Sequence, residues 1–92
     1  MAIEVRVPTM LRTHTDGAKK VHGEGETLRE LLADVERRYP GLGSAVLDEG
    51  GKLHRFMNVY VDDEDVRFLG GVETPLSDGI EVSILPAVAG GS

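Results

Sequence analysis

Apolar and polar residues alternate at the start of the chain, where Ile3, Val5 and Val7 are separated by Glu4 and Arg6. A period of two predicts a half-buried strand, and Pro8, which has no N–H to offer a neighbour, limits its pairing. A second, shorter strand is predicted near Lys19 to His22, after the turn signal Asp16-Gly17. The period then changes. Leu28, Leu31, Leu32, Val35 and Tyr39 recur at spacings of three and four, which places them on one apolar face of a helix about three turns long. Thr27 and Glu30 form a capping-box pattern, in which the hydroxyl and the carboxylate satisfy reciprocal backbone N–H groups. Pro40-Gly41 ends the helix.

After Gly50-Gly51, the run Phe56-Met57-Asn58-Val59-Tyr60-Val61 is rich in aromatic and β-branched residues and predicts another strand. The acidic run Asp62 to Asp65 reads as a solvated hairpin turn into Val66-Arg67-Phe68-Leu69, a further strand candidate that Gly70-Gly71 ends. Ile80 to Leu85 alternates again, after Ser77-Asp78-Gly79. This order predicts an α+β fold with one helix across a mixed sheet of four to five strands. The first and last strands pair in parallel at its centre, and the helix lies in the crossover. Alternation puts the aliphatic sets Met57, Val59, Val61 and Ile80, Val82, Ile84 under the helix, and leaves Phe56, Tyr60 and Leu85 on the open face as a candidate docking patch. The expected organisation is one domain over residues 1–85 and a flexible C-terminal tail over residues 86–92.

Ninety-two residues suffice for one modest core. There is no cysteine, which excludes a disulfide framework, thiolate zinc and a cysteine nucleophile and fits a reducing cytoplasm. No stretch approaches membrane-spanning length, and the N-terminus lacks the charge and apolar layout of a signal peptide. With a formal charge of −6 and dispersed cations, nucleic-acid binding is not expected, and the acidic surface is expected to steer a basic protein partner. His14, His22 and His54 lie too far apart for a zinc motif, so no metal site is expected. The Asp62–Asp65 cluster lacks the spacing of a calcium loop. Gly50-Gly51-Lys52 is followed by Leu53 where a phosphate loop needs Ser or Thr. Ser44, Ser77 and Ser83 have neither a nucleophile elbow nor an ordered base beside them. The chain therefore does not read as an enzyme.

The remaining chemistry lies at the end, Leu85-Pro86-Ala87-Val88-Ala89-Gly90-Gly91-Ser92. Glycines enter channels too narrow for any side chain, and the stretch from Pro86 to Gly91 spans about 20 Å at full extension. With this tail behind that strand order, the whole chain resembles the sulfur-carrier branch of the ubiquitin-like β-grasp proteins, the ThiS/MoaD family. The family-wide mark is Val88-Ala89-Gly90-Gly91. Two longer stretches look like CysO-type carriers of thiocarboxylate-dependent cysteine synthesis. One is Lys52 to Val61 continued by Asp63-Glu64-Asp65-Val66-Arg67-Phe68, and the other is Leu85 to Gly91.

The resemblance implies that an E1-like adenylating and sulfurtransferase enzyme uses ATP to activate the carboxylate of Gly91, which then becomes a thiocarboxylate. Val88, Ala89 and Gly90 are expected to lie in the partner's channel. The implied acceptor is a biosynthetic enzyme, cysteine synthase-like or thiazole synthase-like. No bound cofactor is implied. Two alternatives share the first step: the small subunit of a molybdopterin synthase, and a ubiquitin-like modifier joined to lysines. One departure is Ser92. While it is attached, the Gly91 carbonyl is an amide carbonyl, so Ser92 is either an appended residue or the end of a pro-form trimmed by a JAMM-type metallopeptidase.

Overall fold

A computed structural model of the chain describes residues 2–86. The strands are β1 (Ile3–Arg6), β2 (Lys20–Gly23), β3 (Met57–Val61), β4 (Glu64–Asp65) and β5 (Glu81–Pro86), with helices α1 (Leu28–Arg38) and α2 (Leu42–Val46) between β2 and β3. They form one sheet in the order β2-β1-β5-β3-β4. β1 and β5 run parallel, with Val5 opposite Val82, and every other pairing is antiparallel.

Alternation separates the sheet faces as expected. Ile3, Val5, Met57, Val59, Val61, Val82 and Ile84 are buried against Leu28, Leu31, Leu32 and Val35 of α1. Gly23 of β2 lies under the helix, where an added Cβ would come within 2.9 Å of both Leu31 and Val35. The Thr27 hydroxyl caps α1 by accepting from the Glu30 N–H at 3.3 Å. Glu30 reaches back one residue further than the capping-box pattern predicts, to the Glu26 N–H at 2.9 Å. The helix entry is also tied to the segment after Gly71–Glu73: Leu28 N–H donates to the Thr74 carbonyl and Leu76 N–H to that of Glu26.

Three elements differ from the sequence expectation. Thr9–Thr15 is a 3-10 segment closed by Asp16 in the left-handed region, and it lacks the apolar periodicity that would announce it. α2 was not anticipated, and it is preceded by an N-cap, Gly41, whose φ of 99° a residue without a Cβ adopts readily. Val66–Phe68 is a 3-10 turn instead of a strand, because Asp65 folds its carboxylate onto the Arg67 N–H at 2.9 Å. The acidic turn itself forms with Asp62 and Asp63 both at positive φ, the geometry that matches strand twist in a tight hairpin. Asp62 also clamps the start of β5, accepting from the Glu81 N–H at 3.2 Å and donating to its carbonyl at 3.0 Å.

Glu36 ties α1 to α2. Its carboxylate accepts from the N–H groups of Gly41 at 3.0 Å and Ser44 at 2.9 Å. These N–H groups, Gly41 first and Ser44 second, hold its pKa below the ordinary glutamate value.

Leu32, 1% exposed, should lose about 2 to 5 kcal/mol of stability on replacement by alanine, measured by urea unfolding. Glu36→Ala should cost about 1 kcal/mol at neutral pH by removing the cap. A depressed folded pKa means that this stabilisation is present above the unfolded value and fades as pH falls through the folded one. The gap between Glu36→Ala and the native chain should therefore narrow in acid.

Candidate functional site at the end of the central strand

β5 is bonded to β1 on one side and to β3 on the other, and Pro86, its last residue, lies opposite Met57. Pairing with β1 stops at Ser83, so the last residues of the strand, Ile84 to Pro86, are held by β3. Val88, Ala89, Gly90, Gly91 and Ser92 lie outside the described residues.

On the open face beside this exit, β3 and β5 bring the predicted patch together. Leu85, 47% exposed, is opposite Asn58. Tyr60, half-buried, is opposite Ser83. Phe56 is 63% exposed just before β3, with the Arg55 guanidinium carbon 5.9 Å from its ring centre. In antiparallel strands, residues two positions off a direct pair lie about 7–8 Å apart, so Leu85 sits diagonally from Tyr60. The Asn58 side-chain oxygen among them is buried and has no hydrogen-bond partner among the described residues.

The other half of the face is charged. Lys20 of β2 pairs with Glu4 of β1 at 3.3 Å, and Arg6 pairs with Glu81 of β5 at 3.4 Å. Such half-exposed pairs add little stability, but they set the polarity of this edge of the patch. A groove of about 810 Å³ runs between the segment after β1, from Pro8 to Met10, and the end of β5, from Ser83 to Pro86. Met10, 57% exposed, was not anticipated as part of the site, because the 3-10 segment that carries it leaves no periodic signal. Four cationic side chains, Arg6, Arg12, Lys19 and Lys20, and one carboxylate, Asp63, line this groove, although the chain as a whole is acidic.

His14, His22 and His54 are not gathered, and no group of three or more metal-ligating side chains occurs among the described residues. No described helix is long and apolar enough to cross a membrane.

Comparisons with known proteins match the chain end to end. A model of the ThiS family matches residues 5–91. The sulfur carrier protein CysO of Mycobacterium tuberculosis is 52% identical over 93 residues, covering 99% of this chain and 100% of that protein. Small archaeal modifier protein 3 of Haloferax volcanii is 31% identical over 94 residues, with 99% and 100% covered. A chain in the crystal structure of the Amycolatopsis orientalis BexX/CysO complex superposes with a TM-score of 0.89 at 53% identity, covering 95% of this chain and 97% of that one.

Because Phe56 and Leu85 stand largely outside the core, Phe56→Glu and Leu85→Glu should each change unfolding free energy by less than about 1 kcal/mol. A loss above about 2 kcal/mol in urea titration would place them in the core instead.

Proposed function

The chain belongs to the ThiS family, and we propose that it is a CysO-type sulfur carrier whose Gly91 carboxylate is converted to a thiocarboxylate for biosynthetic sulfur transfer. The observation that carries this reading is the match of 52% identity over 99% of the chain to a protein that carries sulfur. The position of the chain exit supports it, since β5 is an interior strand of the sheet and its end is paired with β3.

The chemistry is that of a terminal carboxylate. Its pKa of about 3.3 to 3.7 keeps it ionised at neutral pH, and an ionised carboxylate is a poor acyl donor. On an E1-like partner, its oxygen attacks the α-phosphorus of ATP and displaces pyrophosphate. Hydrosulfide, or a persulfide whose S–S bond a second thiol then reduces, attacks the acyl carbon and displaces AMP, leaving the thiocarboxylate. That sulfur attacks an electrophilic carbon on the acceptor enzyme. Hydrolysis of the resulting thioester returns the Gly91 carboxylate. The globular domain supplies recognition throughout. Phe56, Tyr60 and Leu85 form the seat for the adenylating enzyme, while Val88, Ala89 and Gly90 occupy its channel. A chain still carrying Ser92 requires prior cleavage, for which a JAMM-type metallopeptidase is the fitting partner.

The likeness to an archaeal modifier protein favours one second reading, in which activated Gly91 is joined to a lysine amine. Both readings share the adenylate and differ in the nucleophile that attacks it.

A chain ending at Gly91, incubated with its adenylating enzyme, ATP and a sulfur donor, should gain the mass of one sulfur-for-oxygen exchange. The chain ending at Ser92 should gain nothing without cleavage. Gly91→Ala should greatly slow the exchange while leaving the fold unchanged. Mass spectrometry reads all three, and isopeptide adducts on other proteins would select the modifier. Phe56→Glu or Leu85→Glu should weaken the enzyme complex, and native affinity in a folded variant would remove the patch from the docking surface.

A further inference from the structure

The groove beside the chain exit differs in charge from the molecule that carries it. The chain has a formal charge of −6, yet Arg6, Arg12, Lys19 and Lys20 line the groove against a single carboxylate, Asp63. Arg6 and Lys20 are already answered by Glu81 and Glu4. Arg12 and Lys19 are not. Arg12 donates from Nε to the Val7 carbonyl at 3.1 Å, which anchors the guanidinium, and it forms no ion pair among the described residues. Lys19 forms no ion pair among the described residues. Its backbone is fixed, because the Val7 N–H donates to the Lys19 carbonyl at 2.8 Å.

The walls between these cations are apolar. Met10 and Leu85 are 57% and 47% exposed on opposite sides of the groove. Two unanswered cations between a thioether and a leucine complement a segment that alternates carboxylates with apolar side chains. A phosphate chain would satisfy the cations but leave Met10 and Leu85 in water. An apolar segment without charge would leave Arg12 and Lys19 unanswered.

We propose that this groove receives an acidic, apolar-tipped segment of the adenylating enzyme and so orients the carrier with its chain exit toward that enzyme. The proposal rests on the reading of the chain as a sulfur carrier and extends the docking seat to residues on the far side of β5. Rim cations act chiefly on the association rate and its salt dependence, whereas buried apolar anchors act on dissociation.

Two measurements test it. In the first, isotope-labelled native chain is titrated with a capped heptapeptide alternating aspartate and leucine, with a lysine–leucine peptide and with tripolyphosphate, and backbone amide shifts are followed. The acidic peptide should shift amides of Met10, Lys19 and Leu85 selectively. Lys19→Glu should weaken it on the order of ten-fold, and Lys52→Glu, the same charge change away from the groove, less than about two-fold. Equal binding of the lysine peptide, equal binding of tripolyphosphate, shifts spread over the whole surface, or equal effects of the two variants would each overturn the groove. In the second, sulfur gain is timed on chains ending at Gly91 with the purified adenylating enzyme. A Lys19→Glu chain that is folded but about ten-fold slower at low salt, with the difference shrinking at high salt, supports the proposal. A Lys19→Glu chain that gains sulfur at the native rate overturns the groove and leaves the carrier reading intact. No sulfur gain by the native chain overturns the carrier reading and, with it, the adenylating enzyme as occupant.

Discussion

Everything in this fold depends on the parallel pairing of β1 with β5. Parallel neighbours cannot be joined by a tight turn, so the chain between them must cross over the sheet. α1 lies in that crossover, and its apolar face covers the aliphatic side chains that the two central strands turn toward it. β2 and the β3–β4 hairpin then close the flanks by antiparallel pairing. β5 is bonded to β1 through Glu81–Ser83 and to β3 along Val82–Pro86, so its last three residues are held by the β3 ladder alone.

The same pairing creates two faces with different duties. The covered face is aliphatic throughout, from Ile3 and Val5 to Val82 and Ile84, and buried side chains of this kind dominate a small domain's stability. The open face contributes little to folding. That leaves its composition available for recognition, and it divides into ion pairs on the β2–β1 side and exposed apolar side chains at the ends of β3 and β5. The overall negative charge describes the chain but not the groove, where cations exceed carboxylates. Short-range recognition responds to the local field, while the net charge governs behaviour beyond about a Debye length of roughly 8 to 10 Å.

Where local periodicity and turn chemistry coincide with tertiary packing, the elements were legible in the sequence. β1, α1, β3 and β5 each carry an alternation or a helical stripe whose apolar side is the buried side. The Asp62–Asp63 turn was legible because aspartate tolerates positive φ. What escaped was structure fixed by side chains rather than by pattern. α2 depends on Glu36 reaching across to the Gly41 and Ser44 N–H groups, a contact between residues on two elements. The turn after β4 depends on the Asp65 carboxylate, which ends the strand two residues after it starts. Met10 and the basic groove escaped for a related reason. Arg6, Arg12, Lys19 and Lys20 look dispersed along the chain and converge only when β1 and β2 pair.

In the proposed carrier role, in which the active tail ends in Gly90-Gly91, there is a consequence for where specificity resides. Bare backbone fits a narrow channel but offers few side-chain contacts by which one partner differs from another. Discrimination therefore falls to the body, and the nearest body surface to the exit is the patch and the groove. Burying a side chain such as Phe56, Leu85 or Met10 contributes at most about 1.5 to 3 kcal/mol each. Forming a complex costs roughly 4 to 15 kcal/mol in lost freedom before any side chain is ordered. Three such anchors supply at most about 5 to 9 kcal/mol, comparable to that cost, so the attachment they support is weak. Attachment of that strength suits a carrier that has to leave one enzyme with its cargo and be accepted by the next.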